Sequence, residues 1–190
     1  MATRRFDEMI HEMQRAHDLD PLSLVIAEHL AYALSLVGRI DDAFRQVRAA
    51  IDLDPQFPLA HLRLGALYLA QQRADEAVEP LRESVRLSSG RVGIGALGFA
   101  LGLAGRPQEA QAVLNQLVDR ARTAFVSPLE FAYVHAALGH VEETFAAIDQ
   151  AIAERISDLV RFDFLLWPAS VRQDRRFPEV RTQLGLLQIP

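Results

Sequence analysis

Residues 64–81 read Leu64-Gly65-Ala66-Leu67-Tyr68-Leu69-Ala70-Gln71-Gln72-Arg73-Ala74-Asp75-Glu76-Ala77-Val78-Glu79-Pro80-Leu81. Apolar residues recur at i, i+3, i+4 and i+7 on both sides of the polar break around Gln72 and Arg73, which predicts two short amphipathic helices joined by a tight turn. Outward from this stretch the pattern repeats. Ala77 has counterparts at Ala43, Ala110 and Thr144, and Gln72 has counterparts at Gly38, Gly105 and Gly139. A fixed spacing of 33 or 34 residues is the mark of a stack of helix pairs, in which each pair buries its apolar face against its neighbours.

The first helix of each pair is expected to start near Ser23, Phe57, Arg91 and Ser127, and the second near Asp41, Asp75, Pro107 and Glu142. Glycine suits the left-handed residue that ends a helix, aspartate can accept free amide hydrogens at a helix start, and proline is tolerated in a first turn. Within the pairs, Leu30, Leu64, Leu97 and Phe131 recur, followed directly by the small Ala31, Gly65, Gly98 and Ala132. On the second helices Val47, Leu81, Leu114 and Ile148 recur, followed by Ala50, Ser84, Leu117 and Ala151. Large beside small at a fixed register predicts close helix packing. Asp54-Pro55 closes one repeat, as Asp20-Pro21 does 34 residues earlier.

This order of residues resembles the tetratricopeptide repeat. The resemblance implies an all-α fold, an α-solenoid of antiparallel helix pairs with about four repeats over 22–55, 56–89, 90–123 and 124–157, all within one domain. Gln72 for glycine, Thr144 for alanine, Ser89 for the closing proline and one residue missing between the second and third repeats depart from the family pattern. Residues 6–21 match a second helix with no first helix ahead of it, and that half repeat is covered by another copy, by residues upstream, or by nothing because it is itself the cap.

After Ser157 the period fails, and residues 158–190 read as a C-terminal cap. The stretch from Leu159 to Pro168 is the most aromatic of the chain, and Asp174 to Gly185 reads as a short amphipathic helix closed by glycine. These residues either seal the last repeat or form a docking tail. Similar tails, with Asp-x-Arg-Phe and a later Gly-Leu, close the repeat region of bacterial multidomain regulators, where a DNA-binding, cyclase or kinase domain comes first. That likeness implies a regulatory receiver of protein contacts.

Half of the residues are apolar, 24% are charged, and the formal net charge is −5. Apolar runs fall short of a membrane span and no signal-peptide core follows Met1, so a cytoplasmic protein without membrane insertion is expected. The charge offers no general attraction to phosphate backbones, and direct nucleic-acid binding is not expected. Without cysteine there are no disulfides or thiolate metal sites.

Residues at i, i+3, i+7 and i+10 of each first helix share one face, expected to line the inside of the solenoid. They are Val25, Glu28, Tyr32 and Ser35; Leu59, Leu62, Ala66 and Leu69; Val92, Gly95, Phe99 and Gly102; and Val126, Leu129, Tyr133 and Ala136. This is an apolar peptide-binding groove with one carboxylate, Glu28, read as solvated at the rim. It lacks the Lys, Asn and Arg that grip a terminal carboxylate in some tetratricopeptide domains, and suits an amphipathic helix of a partner, the chain's own tail, or a second copy.

Gly93-Ile94-Gly95-Ala96-Leu97-Gly98 matches a dinucleotide-binding pattern, but a helix and not a strand precedes it, so no cofactor is expected. Instead Gly93, Gly95, Gly98 and Gly102 should make that helix the softest element unless packing or a ligand holds it, and Gly95 and Gly102 leave a notch where another backbone could approach. No histidine pair has i, i+4 spacing, so neither a metal site nor a catalytic centre is expected, and His135 reads as a core histidine. The sequence therefore points to a non-enzymatic protein-interaction module or scaffold of a regulatory system, with self-association into a homodimer as the alternative.

Overall fold

The computed structural model describes residues 2–161 and 167–186, with side chains over 7–159 and 167–186. The expectations for the Phe6 side chain and for Phe162, Phe164, Leu165 and Leu166 lie outside the described residues. Every regular element among the described residues is helical, and the chain divides into two compact units, Met1–Gly93 and Ile94–Pro190.

The first unit holds α1 (Ala2–Leu19), α2 (Leu24–Leu36), α3 (Ile40–Leu53), α4 (Pro58–Ala70) and α5 (Ala74–Leu87). Its core is the predicted register: Leu30, Ala31, Ala43, Val47, Ala50, Ala77, Leu81 and Ser84 are buried. Ile10 and Met13 of α1 pack on the same cluster, so α1 covers the side of α2 that a preceding repeat would cover. Gly65 is required by contact, because a methyl group there would run into Leu81 Cγ across the α4–α5 hairpin.

The second unit holds α6 (Ile94–Leu103), α7 (Pro107–Ala121), α8 (Pro128–Leu138), α9 (Val141–Ala153), a short 3-10 helix (Ser157–Arg161), α10 (Ala169–Arg172) and α11 (Arg176–Gln183). Ala110, Leu117, Ala132, Thr144, Ile148 and Ala151 are buried. Thr144 replaces alanine without leaving a buried polar group unpaired, because its hydroxyl donates to His140 O at 2.7 Å.

All four hairpin turns close in one way. The amides of Arg39, Arg73, Arg106 and His140 each donate at 2.9 Å to the carbonyl five residues back, on Leu34, Tyr68, Leu101 and His135. The residue before each amide is left-handed: Gly38, Gln72, Gly105 and Gly139 have φ from +59° to +79°.

The expected aspartate caps are not what starts the second helices. α7 begins at Pro107 as expected, with Arg106 at its cap, whereas α3, α5 and α9 begin one residue earlier than expected, with Arg39, Arg73 and His140 at their caps; none of the four has a side-chain capping bond. Instead, Arg39 pairs with Asp42, Arg73 with Glu76, and Arg106 with Glu109. A carboxylate in the first turn meets the helix dipole and the arginine together.

The third first-helix also differs, beginning at Ile94 rather than near Arg91. Ser89, Gly90 and Gly93 are all left-handed in the segment where one residue of the period is missing, and three such residues cannot continue a right-handed helix. α5 runs on through Pro80 to Leu87. At the far end, α11 ends as expected, with Gly185 at φ +67° and the Leu186 amide bonded to Arg181 O.

Candidate functional site

In the first unit, α2 and α4 bring Glu28 and Arg63 together. Both are buried, at 4% and 2% exposure, and the guanidinium holds the carboxylate through Nε at 2.8 Å and through Nη2. The solvated Glu28 expected from sequence is therefore corrected: the acid lies beneath the face, because Arg63 compensates its desolvation. The Arg63 guanidinium also lies over the Tyr32 ring, 4.5 Å from its centroid. His29 Nδ1 lies 3.3 Å from the other Glu28 oxygen and 2.7 Å from Val25 O. Around this buried pair the predicted residues Tyr32, Ser35, Leu59 and Leu62 are partly buried, Ala66 and Leu69 are buried, and Val25 is 50% exposed. The Ser35 hydroxyl is turned onto its own helix, donating to Tyr32 O at 2.6 Å.

In the second unit the same register carries different chemistry. Arg63 stands 35 residues after Glu28, and Glu130 stands 35 residues after Gly95. Gly95 has no side chain, so the Glu130 carboxylate reaches its amide directly and satisfies one of the free donors in the first turn of α6. Burial pushes the Glu130 carboxyl above its ordinary range, against the pull of the Gly95 hydrogen bond, and Asp158 adds to the rise while Arg120 opposes it.

The notch expected at the α6 glycines is filled by α8. Methyl groups would lie 2.7 Å from the Glu130 backbone at Gly95, 2.5 Å from Val134 at Gly98 and 2.5 Å from the Ala137 Cβ at Gly102. This close approach brings Phe99 and Tyr133 to a centroid distance of 6.1 Å. Trp167 completes the cluster, 5.3 Å from Tyr133 and 6.4 Å from Phe99, edge-on to the latter. Phe99 and Trp167 are 1% and 2% exposed. Of the other predicted residues in this unit, Gly95, Leu129 and Ala136 are buried, and Gly102, Val126 and Tyr133 are partly buried. Val92, in the first unit, is also partly buried.

The cap is fastened by Arg176. It forms a bidentate bond with Glu142 of α9, both contacts at 2.8 Å, bonds both Asp174 oxygens, and lies over the Phe145 ring at 4.2 Å. The bonded arginine holds the Asp174 and Glu142 carboxyls below their ordinary ranges. Arg172 Nε donates to Trp167 O at 2.9 Å.

Among the described residues no three histidines and carboxylates converge on a metal-sized site, and no helix is long and apolar enough to cross a membrane. His135 is partly buried with Nδ1 3.3 Å from His140 Nδ1, and desolvation and then the His140 charge lower its pKa. At the junction of α1 and α2, Leu19, Leu22 and Val25 are 85%, 70% and 50% exposed.

The face list built from sequence missed Arg63, Glu130 and Trp167. The first two stand one residue beyond the sampled register; for Arg63 the available signal was an acid 35 residues earlier, Glu28, and for Glu130 the glycine at the same distance, Gly95, gave none. Trp167 lies outside the period, where no register argument reaches.

Residues 34–84 match the family model described as tetratricopeptide repeat. The small glutamine-rich tetratricopeptide repeat-containing protein 2 of Mycosarcoma maydis is 31% identical over 87 residues, 46% of this chain, and the chain spans a quarter of the length of that curated relative. The structure is similar to a thermophilic TPR protein of Thermus thermophilus, with a TM-score of 0.66 at 18% identity over 86% of this chain and 90% of that one. It is also similar to TPR-like repeats of a putative kinesin light chain of Podosopora anserina, with a TM-score of 0.59 at 18% identity over 83% and 90% of the two chains. These likenesses carry the fold.

Proposed function

Because the chain is a tetratricopeptide repeat protein, we propose that it is a non-catalytic interaction module of a regulatory or scaffolding system, cytoplasmic and bacterial, that binds a protein segment along its first-helix faces. The observation that carries this reading is the α2–α4 face: Val25 is exposed and Tyr32, Leu59 and Leu62 are partly exposed on the two helices that hold the buried Glu28–Arg63 pair. Apolar side chains in reach of solvent on neighbouring helices suit an amphipathic helix with anchors at i, i+3 and i+7. The net charge of −5 favours a protein over nucleic acid as the partner.

Selection of peptides from a displayed random library against the full chain tests the assignment. Selected peptides should share apolar anchors at helical spacing and bind at least tenfold more weakly to Tyr32→Ala and Val25→Glu chains of unchanged helicity. Peptides indifferent to both substitutions, or no selected peptides, refute it.

A homodimer is the second reading, favoured by the exposed Leu19, Leu22 and Val25. Light scattering across a wide concentration range decides it, since a constant monomer mass removes that reading.

A further inference from the structure

Within the second unit, the Phe99–Tyr133 face holds an indole, and that occupant defines what the face accepts. α6 and α8 approach closely at Gly95, Gly98 and Gly102, which sets the two rings side by side at positions of the predicted binding line. Trp167 enters this aromatic cluster from outside the repeat, 5.3 Å from Tyr133 and edge-on to Phe99. Aromatic rings prefer such tilted and edge-to-face contacts, which add specificity to the area they bury. The short helix following the indole, α10, packs on α9 and buries its own Val171, while Arg172 holds Trp167 O and Arg176 ties the following segment to Glu142. The packing that orders α10 and the aromatic contacts of the indole thus fall on different helices.

We infer that the Phe99–Tyr133 face is an aromatic-accepting subsite, filled in cis by Trp167, and that the partner segment presents a tryptophan there in exchange. This rests on the proposed function and adds the chemistry of one anchor: an indole flanked by apolar residues, as in the chain's own Leu165-Leu166-Trp167-Pro168. Binding at this face competes with Trp167, so the chain's own tail lowers the apparent affinity for the partner by the fraction of time it occupies the site.

The probe is a synthetic peptide copying residues 162–173. Trp167 is the only tryptophan of the chain, so a full-length Trp167→Ala protein is dark at indole wavelengths and the peptide's tryptophan reports its own burial. Saturable binding with a blue-shifted emission is expected for Trp167→Ala, with at least tenfold weaker binding to the unaltered chain by fluorescence polarisation of a labelled peptide. Replacing the peptide's tryptophan with alanine, or adding Tyr133→Ala to the protein, should each cost tenfold or more.

If Trp167→Ala loses helicity, Trp167→Phe takes its place: it keeps a ring in the site, is equally dark, and should still bind the peptide more tightly than the unaltered chain does. No binding to a folded variant, or equal affinity for both chains, overturns the subsite. An unaltered chain that dimerises with concentration, and stops doing so in Trp167→Ala, gives the face to a second copy and overturns the partner assignment. Failure here leaves the α2–α4 reading standing, because that face is tested through Tyr32 and Val25 of the other unit.

Discussion

The ionisable residues that matter most are set by what lies 35 positions away from them. Glu28 and Arg63 are buried together, so removing Arg63 leaves the buried Glu28 carboxylate without its guanidinium, whereas removing both charges leaves an apolar gap. Arg63→Met should destabilise the first unit by about 3–5 kcal/mol, and Glu28→Leu combined with Arg63→Met should lie much closer to the parent. Urea denaturation followed by circular dichroism checks both, and a double variant as weak as the single one would refute the pairing. Glu130 has the opposite economy, since its carboxyl pKa is raised in the fold. A raised carboxyl contributes stability that is fully present below its unfolded value near 4.5 and is lost as pH rises through the folded value. Glu130→Gln keeps an acceptor for the Gly95 amide without charge, so it should match the parent in acid and exceed it at neutral pH. His135 has its pKa lowered, so its contribution is present at neutral pH and is lost as pH falls below 6.5 towards the folded value. His135→Asn should flatten that part of the pH profile, and denaturation followed at Trp167 separates the two slopes.

Helices and turns use glycine in two unrelated ways, and substitution tells them apart. Gln72 holds the left-handed turn position that glycine holds in the other three hairpins, and it is exposed with its amide bonded to Leu69 O. Gln72→Gly removes steric strain at the cost of unfolded-state freedom, and the expected net gain is about 0.5–1 kcal/mol, read as a rise in Tm. Gly102 is the other kind: its backbone is helical, but α8 leaves no room for a methyl group. Alanine there recovers up to about 1 kcal/mol of helix propensity and loses about 1–3 kcal/mol to overpacking, so Gly102→Ala should destabilise the second unit. Sequence alone made α6 the softest helix by counting its glycines. That expectation holds unless packing intervenes, and the contacts supply the packing: the same absence of side chains that weakens an isolated helix lets α6 and α8 meet backbone to backbone. The aspartates at the second-helix starts misled for a related reason. Asp41 and Asp75 already lie inside their helices, and the carboxylates that meet the cap arginines are the next ones along, Asp42 and Glu76, a one-residue difference that a one-dimensional pattern does not resolve.

At the scale of the chain, what was legible was periodic. Ala77 and Leu81 recur because every pair buries them alike, and a repeated packing demand leaves a repeated residue. The fold class, the hairpins and the buried register followed from that. The candidate faces were legible only as a line of positions: Val25 and Tyr32 were placed, but the burial of Glu28 under Arg63 and of Phe99 under Trp167 was not, because each depends on a contact made once. The end of the array is the clearest case. Arg176 bonds Glu142 from 34 residues away, and Asp174 bonds both the Arg176 amide and its guanidinium, so the segment after the last repeat is ordered by charge as well as by the buried Val171 and Val180. Both carboxyls have depressed pKa values, and such groups contribute stability that is present above their unfolded values and is lost as pH falls through the folded ones. The cap should therefore loosen in acid, below about pH 4, and the single tryptophan reports it. Arg176→Ala should produce at neutral pH what acid produces in the parent: red-shifted Trp167 emission and easier quenching by acrylamide, with far-UV helicity largely kept. High salt should weaken the clamp in the parent and change little in the variant, since exposed ion pairs are screened and a missing one has nothing to screen. Unchanged emission in Arg176→Ala would mean that packing alone seats the indole and that the arginine is a surface ornament of the fold.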